Sequence, residues 1–228
     1  DSNDEIHISY YDGTNMDLKY AHFDGSSWTV YTVESAGNVG TYCSIAVDSN
    51  DEIHISYNDA SALDIKYAHF DGSQWSFSTI DGATVGRYYG QNDIAVDSDD
   101  TVHVSYLEQP SGELKYAKED VNNPGTWIIS SVATDAGHQN SIAIDSSDDI
   151  HISYYASNGS NPDLRYAHFD GSSWVNTTLD AMTYSGDEIS ITADQDDNLH
   201  ISYRSGGHLK YSHFDGDSWL VTTADAGQ

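Results

Sequence analysis

The chain has a single cysteine, Cys43, only three prolines and two methionines, and just 8 lysines and arginines in 228 residues. One thiol rules out an intrachain disulfide and leaves the redox compartment undetermined. No apolar stretch approaches the roughly 18 residues that a helical membrane span requires, so no membrane insertion is expected. Basic residues are outnumbered by 37 aspartates and glutamates, giving a formal net charge of −29. Nucleic-acid binding rests on cations that neutralise phosphates, so this charge argues against nucleic acid and anionic membrane surfaces as partners. No segment shows the 3.6-residue apolar period of a helix over a useful length. Acidic chains poor in aromatics are disordered, but aromatics here are 12% and the apolar pattern is regular, so this chain folds.

What the sequence has instead is a repeat. The stretch Ile6 to Trp28, IHISYYDGTNMDLKYAHFDGSSW, returns from Ile53 to Trp75, Val102 to Trp127, Ile150 to Trp174 and Leu199 to Trp219. Its leading histidines, His7, His54, His103, His151 and His200, recur every 47 to 49 residues. A fixed period of this length marks copies of one supersecondary unit that cannot bury its apolar faces alone. The whole of 1–228 is therefore one domain, with repeats at approximately 1–43, 44–92, 93–140, 141–188 and 189–228.

Each repeat reads as four short strands. The first is Ser44 to Val47 and its copies, closed by an Asp/Asn/Ser turn such as Asp48 to Asp51. In the second, Ile6, Ile8 and Tyr10 alternate with His7 and Ser9; in the third, Leu18 and Tyr20 alternate with Lys19 and Ala21. The fourth starts at Trp28. Antiparallel sheets apolar on both faces describe blades, with the five tryptophans (Trp28, Trp75, Trp127, Trp174, Trp219) between them. Burying about 200 Å² of each is worth at most about 5 kcal/mol. The predicted fold is all-β, a five-bladed β-propeller of four-stranded antiparallel blades, with a hub of Ile-Ala-Val segments. The Ser-Ile-Ala-Val strand occurs four times and the other three strands five times, so the first blade lacks its innermost strand. The chain starts inside a repeat, as a mature or excised piece of a larger parent would.

The words VGTYCSIAVDSNDEIHISYND…DIKYAHFDG resemble a repeat of uncharacterised secreted bacterial and archaeal β-propellers, with a pattern close to SIALDS–HISYYD–DLKYA–G–W. That group is distantly similar to the Asp-box propellers that include sialidases. The resemblance covers essentially the whole chain and implies an extracellular or cell-surface protein. Phe23-Asp24-Gly25-Ser26-Ser27-Trp28 occupies the place of an Asp box, without its leading Ser and one residue short of its spacing, and Lys118 to Trp127 departs further through an inserted Asn-Asn-Pro-Gly. Asp boxes are structural turns in that family and carry no catalytic role. The sialidase arginine triad has no counterpart, because outside the repeated Lys/Arg position only Arg87 and Arg204 remain.

The histidines, one per blade at equivalent positions, stand too far apart to share a metal, so they are expected to bond nearby polar and aromatic groups. The repeated cation (Lys19, Lys66, Lys115, Arg165, Lys210) is expected to pair with acids. Turns such as Asp48 to Glu52 offer oxygens to calcium but lack an EF-hand loop, so solvated turns are the adopted reading and calcium the competing one. No other cofactor is implied. Glu108 and Glu188 break the repeat and could serve a glycosidase of arabinanase-like architecture, with no surrounding signature to support it.

Binding remains. Variation is concentrated after the second strand, at Tyr11, Asp12, Asn58, Asp59, Glu108, Tyr155 and Arg204, and before the first strand, at Tyr42, Arg87, Tyr88, Tyr89, His138 and Tyr184. Tyrosines mixed with amides, acids and arginine suit a glycan or a surface protein, because the ring stacks while its tip bonds. The sequence thus predicts a non-enzymatic binding module using one loop face, with an assembly subunit that self-associates as a further alternative.

Overall fold

In the computed structural model, residues 1–82, 88–109, 111–157, 162–181 and 188–226 are described. They form nineteen antiparallel strands in five sheets. The first sheet holds β1 (Ile6–Asp12), β2 (Asp17–Phe23) and β3 (Trp28–Glu34). The second holds β4 (Val39–Val47), β5 (Ile53–Asp59), β6 (Asp64–Phe70) and β7 (Trp75–Asp81), and the third β8 (Tyr88–Val96), β9 (Val102–Gln109), β10 (Glu113–Glu119) and β11 (Trp127–Ala133). In the fourth are β12 (Ala136–Ile144), β13 (Ile150–Ser157), β14 (Pro162–Phe169) and β15 (Trp174–Ala181); in the fifth are β16 (Ile189–Ala193), β17 (Leu199–Ser205), β18 (His208–Phe214) and β19 (Trp219–Asp225). Every sheet is a meander in chain order, and the first starts at β1 with no inner strand.

Period-two alternation decides which side chains meet. On β5, Ile53, Ile55 and Tyr57 pack back onto Leu18, Tyr20 and Val33 of the first sheet. The same exchange joins Val102, Val104 and Tyr106 to Ile65, Tyr67 and Ile80, and then Ile150, Ile152 and Tyr154 to Leu114, Tyr116 and Val132. Leu199, Ile201 and Tyr203 meet Leu164 and Tyr166 in the same way. The core is therefore four thin apolar layers between consecutive sheets, rather than one central mass. At the inner edge, β4, β8, β12 and β16 touch in succession, and Asp93 draws them together by accepting from Ser44 Oγ at 2.7 Å and Ser141 Oγ at 2.8 Å. No apolar cluster among the described residues joins the fifth sheet to the first, so the expected closed wheel is open at that point.

Polar groups stitch each layer. Glu34 accepts from Tyr57 Oη at 2.5 Å and pairs with Lys66; Asp81 takes Tyr106 Oη at 3.0 Å and Lys115 Nζ at 3.1 Å; Asp180 takes Tyr203 Oη at 2.8 Å and Lys210 Nζ at 2.5 Å. The Asp-rich turns do likewise. Asp100 accepts the backbone N–H of Ser49 at 2.9 Å and its hydroxyl at 2.8 Å, and Asp51, Asp148 and Asp197 repeat this clasp on Ser2, Ser98 and Ser146. These four aspartates sit at φ near 60°, a left-handed turn geometry that Asp tolerates.

Candidate functional site

The structure redistributes the residues expected on a variable loop face. Tyr42 lies within β4, Tyr88 and Tyr89 within β8 and His138 within β12. The inner strands are longer than the Ser-Ile-Ala-Val word because they run past irregularities, where register shifts between Thr41 and Ser44, Tyr89 and Asn92, and Ala136 and Asn140. Arg87 and Tyr184 lie outside the described residues, as do the side chains of Tyr88, Tyr89 and His138. Four of the remaining residues, Asn58, Asp59, Glu108 and Tyr155, are buried. Glu108 is buried with its carboxylate 2.5 Å from Lys115 Nζ, and Tyr155 is buried with its hydroxyl donating to the Arg204 carbonyl at 3.1 Å. Both positions belong to strands whose ends are sandwiched between sheets, which is why a loop reading of their sequence fails.

Four residues do come together. Tyr11, Tyr42, Asn58 and Asp59 line a cavity of about 450 Å³ between the first two sheets, at the strand ends that carry Asp12. Its polar groups are largely engaged by the fold. Asn58 Nδ2 donates to the Gly90 carbonyl at 2.9 Å, Asp59 accepts the N–H groups of Ser61 and Ala62, and Tyr11 Oη donates to Asn38 at 2.8 Å. Asp12 is likewise committed to its own turn, accepting from Thr14 and Asn15. Arg204 lies in a different, smaller cavity with Glu188 and Tyr203.

The opposite face of the same junction carries a cleft that sequence reasoning missed. It also measures about 450 Å³ and is lined by Tyr20, Tyr31, Trp75, His7, His22 and Glu5, with Gln74 at its edge. Cross-strand pairing builds it: β1 and β2 place His7 opposite His22, and β2 and β3 place Tyr20 opposite Tyr31. The two imidazoles stack with centroids 5.0 Å apart, and Tyr31 stacks on Tyr20 at 5.9 Å. Trp75 from the second sheet meets Tyr20 edge-on at 5.6 Å. His7 Nδ1 lies 2.7 Å from Tyr20 Oη and its Nε2 lies 2.8 Å from Asp1, while His22 Nε2 contacts Glu5 at 2.6 Å. Burial, with neighbouring His22 adding to it, holds His7 below the usual imidazole value; burial pushes the Tyr20 phenol up to about 12. The histidines thus stack in pairs in four of the five repeats, with Lys118 opposite His103 in the third, and no group of three or more metal-ligating side chains occurs among the described residues.

This cleft breaks the repeat at one residue. At the third and fourth sheets, Trp127 Nε1 donates to Ser78 Oγ at 3.1 Å and Trp174 Nε1 to Ser130 Oγ at 3.4 Å. Tyr31 occupies the strand position of those serines, opposite Tyr20 as Ser78 is opposite Tyr67 and Ser130 opposite Tyr116. Trp75 accordingly donates no hydrogen bond among the described residues, and the Tyr31 ring is exposed. The signal was legible in the sequence as a tyrosine where two other repeats carry serine.

No protein-family model matches the sequence, and no curated protein matches it. Solved structures do. A SapL1 lectin in complex with α-methyl fucoside superposes with a TM-score of 0.71 at 13% identity, over 96% of this chain and 76% of its own. The lectin of Aleuria aurantia, a six-bladed β-propeller with a fucose recognition mode, gives 0.64 at 16% identity over 98% of this chain and 75% of its own. The intramolecular trans-sialidase of Ruminococcus gnavus gives 0.62 at 15% identity over 88% of this chain and 50% of its own. At these identities the likeness establishes the fold: the sheets are those of a β-propeller. No helix among the described residues is long and apolar enough to cross a membrane.

Proposed function

We propose that this chain is a carbohydrate-binding β-propeller, with five blades in this sequence, that recognises a glycan at a cell surface or outside the cell. The observation that carries the reading is the Tyr31–Trp75 cleft, where an exposed ring, an indole N–H without a partner among the described residues and the Glu5 and Gln74 side chains line one cavity. Sugars bind proteins by stacking a C–H face on an aromatic ring while fixed donors and acceptors take the hydroxyls, and this cleft offers both. Asp1, Glu5 and Asp51 around it, in a chain of net charge −29, repel anionic sugars, so a neutral sugar is the favoured ligand. The lectin-like neighbours, two of which bind or recognise fucose, support this class and make fucosides the first probes.

A second site, at Tyr11 and Tyr42, is favoured by their sharing one cavity with Asn58 and Asp59. Titration of the protein with methyl fucoside and a panel of neutral hexosides separates the two. Loss of binding in Tyr31→Ser but not in Tyr42→Ser places the ligand in the Trp75 cleft; the opposite pattern places it at the second site. No binding of any neutral sugar would refute the carbohydrate reading and favour a surface protein as partner. The glycosidase alternative is weakened by Glu108, which is closed off against Lys115 and takes no place in an open cleft.

A further inference from the structure

We infer that the outward face of the first sheet is a docking surface for one further four-stranded sheet of this same repeat, which also brings an inner strand to β1. Ile6, Ile8 and Tyr10 are 48%, 43% and 38% exposed, whereas their counterparts on β5, β9, β13 and β17 are all at 2% or less. The sequence word is the same in each case, so the difference lies in what covers it. In the four covered copies the cover is uniform: a Leu or Ile and a Tyr from the third strand of the preceding sheet, as in Leu18 and Tyr20 over β5.

Three other contacts are missing at the same face. Trp28 is 50% exposed, while Trp75, Trp127, Trp174 and Trp219 each stand edge-on against a tyrosine of the preceding sheet at 5.0 to 5.6 Å. Asp4, at φ 59°, holds the position from which Asp51, Asp100, Asp148 and Asp197 clasp the preceding turn. The inner edge of β1 has no strand, although Val47, Ala46, Ile45 and Ser44 pair the corresponding edge of β5 opposite Ile53, His54, Ile55 and Ser56. An open β-strand edge beside an uncovered apolar face is a template for another sheet.

The occupant is defined by what these groups require. It carries a Leu or Ile and a Tyr for Ile6, Ile8 and Trp28, a carboxylate for Tyr10 and Lys19 as Glu34 provides for Tyr57 and Lys66, and a Ser in its turn for Asp4. The fifth sheet of a second copy fits these demands poorly. It has Ala224 where Val33, Ile80, Val132 and Leu179 stand in the others, and Gln195 where Ser2, Ser49, Ser98 and Ser146 stand. A complete repeat of the second to fourth type meets all of them. The five sheets also span 75% of a six-bladed propeller, which leaves room for one more.

The test is to place a copy of residues 136–193 ahead of Asp1, which supplies one four-stranded sheet and an inner strand, and to compare Ile8→Asp in the 228-residue and extended chains by thermal unfolding. In the unextended chain I8D shifts the midpoint by less than about 2 °C; in the extended chain it lowers it by roughly 5 °C or more, as Ile55→Asp does in both. A folded extended chain in which I8D stays silent overturns the inference. So does concentration-dependent association of the unextended chain that I8D abolishes, which would make the occupant a second copy. If the extended chain does not fold, hydrogen exchange of the 228-residue chain decides: a peptide of residues 39–47 slows the β1 amides about tenfold if the edge accepts such a strand, and leaves them unchanged if it does not.

Discussion

Trp75 meets Tyr20 across the first junction at 5.6 Å with the ring planes at 72°, and Tyr31 stacks on the same tyrosine at 5.9 Å. The equivalent of Tyr31 at the next two junctions is a serine that takes the tryptophan N–H. One substitution therefore replaces a structural contact made at the second and third junctions with an aromatic cleft whose indole N–H has no partner among the described residues. A repeat protein acquires a specific site by departing from its own consensus, since five equal copies have no unique chemistry.

Restoring the consensus should remove the site and leave the scaffold. Tyr31→Ser gives Trp75 the hydroxyl partner that Trp127 and Trp174 have, so stability stays within about 1 kcal/mol of the parent chain. Affinity for a neutral sugar falls about tenfold or more with the lost stacking ring. Calorimetric titration beside urea unfolding checks both; unchanged affinity would remove the cleft from consideration.

The tryptophans should separate by position and not by type. Trp127 is edge-on against Tyr67 at 5.1 Å inside a layer, so Trp127→Ala costs about 3 kcal/mol. Trp28, half exposed on the uncovered face, costs about 1 kcal/mol or less when replaced by alanine. Equal losses in chemical unfolding would mean that the first sheet is covered after all.

The fold was legible because period-two alternation and a 47- to 49-residue repeat leave few ways to bury Ile53, Ile55 and Tyr57. The site was less so. Tyr155 and Glu108 read as variable loop residues, yet β13 and β9 run past them and bury both side chains, because strand length is set by pairing with a neighbour and not by the local word. The pairing of His7 with His22 depends on hairpin register, and their separation in sequence conceals it. Five copies of a blade also do not specify how many complete the circle.

Acid should destabilise the chain through its buried histidines. His103 is buried, with Nδ1 2.6 Å from Tyr116 Oη and Nε2 2.9 Å from Asp97. Burial lowers its pKa below the ordinary 6.5, against the opposing pull of Asp97. The unfolded chain therefore binds the proton first as pH falls, and the stability that the neutral ring contributes is full above 6.5 and declines as pH drops below it. Unfolding midpoints between about pH 7.5 and 5 fall less steeply in His103→Gln than in the parent. Parallel slopes would show that His103 does not report this window.

Two glycines test how tightly the first layer is closed. Gly40 of β4 sits at φ +99°, and a Cβ there would lie 2.7 Å from Leu18 Cα on the first sheet. Neither backbone has room to retreat, because Leu18 is fully buried within the layer formed with Ile53, Ile55 and Tyr57. Gly40→Ala thus combines left-handed strain with a backbone collision and costs about 3 kcal/mol or more. Gly25, in the turn between β2 and β3, has a similar φ of +85° but nothing within 4 Å of the added atom. Gly25→Ala carries the strain alone, about 1 kcal/mol. The difference between the two variants in urea unfolding measures the close approach of β4 to β2, and a Gly40→Ala variant no worse than Gly25→Ala would mean that the first two sheets are not packed as described.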